Sequence, residues 1–283
     1  MPVYPTNVQE NLERATALYR AYIAALPPRE DTAHFSVRRK VDGSTAELLA
    51  RGPVTIVVLG DSVSQGCFGG YGVGNDYHAV YHDRLRMLIA GKHPGMVVNV
   101  INRAIGGISS PFANENFEEI VPAYKPDLVI VCFGLNDING SVERYTNAIG
   151  GIFEKCKAHG LDCVFMTPNM LNTYRSSDAP ERFFEYAQKT ADIQTSGKMD
   201  AYMQAARDTA AAHGVPVCDG YALWRRMEEE GVDITLLLSN LINHPVPEMH
   251  DLFARLLYHT LFGLSYEADT LGTADAGMTE AAK

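Results

Sequence analysis

Short apolar runs alternating with helix-patterned segments constrain this chain more than any other feature. Val54–Leu59 is β-branched and continuously apolar, which suits a strand buried on both faces. Val97–Ile101, Leu128–Phe133, Cys163–Thr167 and Val215–Cys218 repeat the pattern. The spacing predicts helices at Tyr77–Ala90, Tyr145–His159 and Met199–His213, the last two closed by Gly160 and Gly214, and a final helix at Pro247–Phe262. Such alternation builds a parallel sheet with helices on both faces. Sites in such sheets form at the carboxyl ends of the strands.

Ahead of the first strand, apolar residues between Asn11 and Leu26 recur at helical spacing until Pro27-Pro28 stops them. The apolar face of that helix must cover either the core or a second copy in a homo-oligomer. His34–Val41 reads as a further strand. Residues 1–52 are therefore expected to be an extension packed on a domain of residues 53–265. Residues 266–283, rich in Ala, Gly, Thr and acid, are expected to be a mobile tail.

With 283 residues the chain can bury a large core. Its net charge of −10 argues against nucleic acid or an anionic membrane as partner, since both reward Lys and Arg. The short basic run Arg38-Arg39-Lys40 reads as solvated surface. No apolar run approaches the ~20 residues of a membrane span, and the N-terminus lacks the pattern of a signal peptide. Five scattered cysteines with no CxxC pair read as reduced, packed thiols of a cytoplasmic protein. Cys67, close after a serine of interest, is the exception to watch.

Chemistry gathers in four segments after strand ends. The first strand runs into Gly60-Asp61-Ser62-Val63-Ser64-Gln65-Gly66, where a tight turn exposes the Ser62 hydroxyl and aims backbone N–H groups beside it. The second ends in Asn102-Arg103-Ala104-Ile105-Gly106-Gly107, whose glycines permit close backbone approach. The third ends in Gly134-Leu135-Asn136-Asp137, and Asn136 offers a neutral amide donor. The fourth, Asn243-His244-Pro245, precedes the last helix and supplies an imidazole that titrates near neutral pH. Each segment alone reads as readily as a turn, a plain loop or a structural histidine. Together they should converge on one sheet edge, with Ser62 as nucleophile and His244 as its general base.

These segments resemble the four blocks of the SGNH (GDSL-like) hydrolase family: Ser62 in GDSVSQG, Gly107 in NRAIGG, Asn136 in GLND and His244 in NHP. The resemblance spans roughly Val54 to Phe262. It implies a three-layer α/β/α fold with a flavodoxin-like five-stranded parallel sheet. It also implies ester hydrolysis through an acyl-enzyme, without cofactor or metal. The N–H groups of Ser62 and Gly107 and the Asn136 side chain would form the oxyanion hole. The implied partner is a small-molecule or carbohydrate ester, an O-acetyl ester first. Lipase-type or thioesterase activity, with Phe68, Tyr71, Tyr77 and Phe112 lining an acyl channel, is the alternative within the class. A non-catalytic binding module is the alternative outside it.

One position departs from the family pattern. The aspartate usual three residues before the histidine is Leu241 here, flanked by Asn240 and Asn243. An amide cannot stabilise an imidazolium as a carboxylate does. Three arrangements answer this. A backbone carbonyl, from the Ser239–Asn240 region, orients His244 in a Ser–His dyad; a carboxylate from elsewhere, Glu248 or Asp251, serves; or the site is weak or dead. The intact remaining blocks favour the dyad. Of the rival metal readings, His244 with Glu248 and His250 lacks the HExxH spacing and is interrupted by Pro245 and Pro247, and His78 with His82, one helical turn apart, reads rather as exposed or capping.

Overall fold

The computed structural model describes residues 4–30, 32, 34–41 and 44–269. Among the described residues seven strands occur in this order: β1 Val54–Gly60, β2 Cys67–Gly70, β3 Val73–Asn75, β4 Val98–Asn102, β5 Leu128–Cys132, β6 Asp162–Met166 and β7 Val217–Cys218. Five of them form one parallel sheet in the order β4-β1-β5-β6-β7, and β2 pairs with β3 as a separate antiparallel hairpin. The sheet order reverses around β1, as in flavodoxin-like folds, so the crevice falls outside the carboxyl ends of β1 and its neighbours. All five positions of β5 are buried, which requires helices on both faces. Helices Tyr81–Lys92 and Met249–Phe262 pack together in one layer, and Ser110–Glu115, Val142–Ala158 and Lys198–Ala212 pack together in another.

Most sequence-expected elements recur with shifted ends. Helix Tyr81–Lys92 starts later than expected because Asp76 Oδ1 takes the N–H groups of His78 and Ala79, which fixes a turn there. Helix Val142–Ala158 starts earlier because the Ser141 side chain caps it by accepting from the Arg144 N–H.

The strand expected at His34–Val41 is instead the helix Ser36–Val41. Val37 and Val41 are both buried and lie four residues apart, so the apolar spacing serves a helix face. Within that helix Arg39 of the basic run is exposed, but its two neighbours are not simply solvated. Lys40 Nζ meets Asp127 at 2.8 Å with both side chains mostly buried, and Arg38 Nη1 donates to the Phe262 carbonyl at 3.1 Å.

The N-terminal helix is Thr6–Ala24, one turn longer at its start than the apolar pattern indicated. Its face of Val8, Leu12, Ala15, Tyr19, Tyr22 and Ile23 is buried, and it packs on helix Met249–Phe262 of the same chain. Of the expected tail, Tyr266 rests edge-on against Tyr258 and Asp269 is buried, while residues 270–283 lie outside the described residues.

Candidate active site

β1 delivers Ser62 through a tight turn into the four-residue helix Ser62–Gln65. Asp61, 2% exposed, caps that helix by accepting the Val63 N–H at 3.0 Å. Gly60 is required, because a Cβ there would collide with the Ser64 side chain. Gly66, at φ +99°, ends the turn in the left-handed region that favours glycine. Burial pushes the Asp61 carboxyl up to about 7; the Val63 N–H opposes the rise and the charge of Asp137 adds to it.

His244 arrives from a loop that its neighbours fold tightly. Asn240 Oδ1 accepts three N–H groups, from Ile242 at 3.1 Å, Asn243 at 2.9 Å and His244 at 3.0 Å. Leu241, in the family's aspartate position, sits at φ +59°, and its side chain is buried. The result places His244 Nε2 at 2.9 Å from Ser62 Oγ. The other ring nitrogen, Nδ1, faces the Phe68 carbonyl at 3.2 Å. A carbonyl only accepts, so Nδ1 carries the proton of the neutral ring and Nε2 is free to accept from Ser62. Burial holds the His244 imidazole below its ordinary range, and the bond to Phe68 opposes that shift only in part. A hydroxyl beside an unprotonated imidazole nitrogen can hand its proton over as it attacks an electrophile.

The two glycine–asparagine segments close the other side. The Gly106 N–H donates to Gln65 Oε1, and a Cβ at Gly106 would come within 3.6 Å of Ser62 Cβ, so this loop runs alongside the serine. Gly107 is exposed at φ +83°. No acceptor among the described residues takes the N–H of Ser62 or Gly107. Asn136 follows β5 and spends one amide hydrogen on the Ile108 carbonyl at 2.8 Å, next to Gly107. Asp137 accepts from the N–H and hydroxyl of Ser110 at 2.9 and 2.6 Å, which pins helix Ser110–Glu115 to the same edge. Ser62, Gly107, Asn136 and His244 are thus brought together.

The expected orienting groups are not at His244 Nδ1. Glu248 accepts from Tyr4 at 2.6 Å. Asp251 is taken by Tyr19 at 2.7 Å, Arg20 at 3.0 Å and Arg255 at 2.7 Å. Asn240 acts on the loop backbone rather than on the ring. The carbonyl comes from Phe68 on β2, not from the Ser239–Asn240 stretch. The glycine-rich Gly69-Gly70-Tyr71-Gly72 run forms the end of β2 and the bend of the hairpin that carries it.

Two of the candidate metal residues each spend one ring nitrogen on the fold: His250 Nδ1 accepts the Tyr81 N–H at 3.3 Å, and His82 Nε2 bonds the Ser64 carbonyl at 2.9 Å. Burial pushes the Cys67 thiol up, away from the thiolate, with the Asp61 charge as a smaller cause.

Residues 58–252 match the family model described as the GDSL-like Lipase/Acylhydrolase family. The chain belongs to that family. As a GDSL-like acylhydrolase it is a carboxylic ester hydrolase. Solved structures similar to it include an alpha/beta hydrolase enzyme from the metagenome of Lake Arreo, Spain, with TM-score 0.58 and 18% identity, covering 75% of this chain and 96% of that one. Another is Axe2, an acetylxylan esterase from Geobacillus stearothermophilus, with TM-score 0.57 and 19% identity, covering 75% of this chain and 95% of that one. At these identities the likeness shows the fold alone. No curated protein matches the sequence. No helix among the described residues of this acylhydrolase is long and apolar enough to cross a membrane.

Proposed function

We propose that this chain cleaves short-chain carboxylic esters through an acyl-enzyme on Ser62, with His244 as general base in a dyad oriented by a backbone carbonyl. The observation that carries the reading is the 2.9 Å approach of His244 Nε2 to Ser62 Oγ, with Nδ1 occupied by Phe68. Ser62 Oγ attacks the ester carbonyl as its proton passes to Nε2. The oxyanion is received by the N–H groups of Ser62 and Gly107 and the remaining amide hydrogen of Asn136. The C–O bond to the alcohol then breaks, and the imidazolium returns its proton to the departing oxygen. Water repeats the sequence on the acyl-serine and frees the acid.

An O-acetyl ester of a carbohydrate is the proposed substrate, supported by the similarity of fold to an acetylxylan esterase. The lipase-type alternative loses one of its channel residues, since the Phe68 ring is fully buried. Activity on a p-nitrophenyl ester series is expected to be highest for acetate and to fall steadily with acyl length. A maximum at medium or long chains would overturn the short-acyl reading. Residues 1–52 are proposed as an addition to the catalytic domain, and a reducing cytoplasmic setting is in keeping with five unpaired cysteines.

The pH dependence follows from burial of the base. A histidine held below its ordinary range is unprotonated, and so competent, from lower pH upward. Plotted against pH, kcat/KM is expected to rise through one ionisation below ~6.5, the unperturbed histidine value, and to be level at neutral pH. An ionisation well above that value would indicate a carboxylate partner for His244.

A further inference from the structure

The Phe68 carbonyl that faces His244 Nδ1 has a second donor. Ser239 is 3% exposed, and its hydroxyl donates to the same oxygen at 2.6 Å, a shorter bond than the 3.2 Å one from the imidazole. The Ser239 N–H meanwhile donates to the His244 carbonyl at 2.6 Å. That carbonyl also lies 3.2 Å from the Ser239 hydroxyl, whose single proton favours the nearer acceptor. One residue therefore ties the base's backbone on one side and the base's acceptor on the other. The hairpin and the histidine loop touch there without side chains between them: a Cβ on Gly70 would overlap the Ser239 carbonyl.

We propose that Ser239 is a positioning residue for the reaction, fixing the Phe68 carbonyl against His244 and sharing that carbonyl with the imidazole. This rests on the reading of His244 as the base. Two consequences of opposite sign follow. Holding the carbonyl in place keeps the ring aimed at Ser62, which favours turnover. Donating to it withdraws electron density, so the carbonyl is a weaker acceptor for Nδ1–H and stabilises the imidazolium less. Among the described residues, the titratable groups on the elements next to the ring include His250, edge-on to Phe68 and itself near His82 and Arg84, Cys67 on β2 and Asp61 at the serine turn. Among the described residues none of these bonds to the His244 ring, so Ser239 acts on it without a competing charge in contact.

Three variants test this. Ser239→Ala removes the donor, Ser239→Cys keeps the volume but donates weakly, and Ser239→Thr keeps the hydroxyl. The His244 pKa, read from an NMR titration of its imidazole signals assigned with His244→Gln, is expected to rise by a few tenths of a unit in the Ala and Cys variants. Ser239→Thr should hold the wild-type value. On p-nitrophenyl acetate, kcat should fall by on the order of tenfold in Ala and Cys with KM unchanged, since a ~1 Å misplacement can cost ~10²-fold. A His244 pKa unmoved in both Ala and Cys overturns the proposal, as does a Cys variant that matches wild type in pKa and kcat. The titration needs no turnover. Wild-type protein inert toward the ester would therefore count against the proposed function, while the pKa of His244 would still decide the role of Ser239.

Discussion

Ser62→Ala is expected to abolish turnover of p-nitrophenyl acetate and to remove the single label that a fluorophosphonate probe leaves on the wild-type chain. The expected loss in kcat is ~10⁶-fold, the scale seen when the nucleophile of a serine hydrolase is deleted from an otherwise intact site. The substitution removes one hydroxyl from a half-buried position whose only side-chain partner among the described residues is His244, so folding should be unaffected. Thermal unfolding of the variant checks that point. Peptide mass spectrometry locates the label. Labelling that survives in Ser62→Ala would place the nucleophile elsewhere. A wild-type chain that neither turns over nor labels would favour the binding-module reading.

The second large effect is expected at Asn136. Replacing it with Ala should lower kcat by ~10²–10³-fold with little change in KM, because the amide is spent on charge that develops only in the transition state. The structure adds a complication, since Asn136 also ties the Ile108 carbonyl beside Gly107. Ala therefore removes a donor and loosens the loop carrying the neighbouring N–H. Asn136→Asp keeps the size without the amide donor and should lose at least as much, because its charge repels the oxyanion. Equal unfolding midpoints for wild type and one variant would tie the loss to the donor. An effect confined to KM would instead make Asn136 a ground-state contact.

Both predictions draw on residues that are legible in the sequence, since each stands at the end of a strand that its own composition announces. Val54–Leu59 and Leu128–Phe133 are too apolar and β-branched for anything but buried strands, and the turn residues after them are chemically specific. Legibility failed where two periodicities coincide. Between His34 and Val41 the apolar residues Phe35, Val37 and Val41 fit a strand alternation as well as a helix face, and only packing on the core decides. It failed again at Glu248 and Asp251. Closeness in sequence to His244 suggested an orienting role, yet both carboxylates accept from the N-terminal segment, through Tyr4, Tyr19 and Arg20.

The sequence by itself determined the five strands of the parallel sheet and the helices ending in Lys92, Ala158, Ala212 and Phe262, the loops that carry Ser62, Gly107, Asn136 and His244, and the lack of an aspartate three residues before the histidine. Side-chain type and spacing are written in the sequence, and those conclusions need nothing else. Which group faces His244 Nδ1 was decided by the tertiary structure alone. The acceptor at His244 Nδ1 is a main-chain carbonyl 176 residues away, set there by a glycine-rich hairpin and held by Ser239. Every residue has such a carbonyl, so no residue letter marks the one that faces the histidine. Only the folding of the hairpin against the histidine loop selects it.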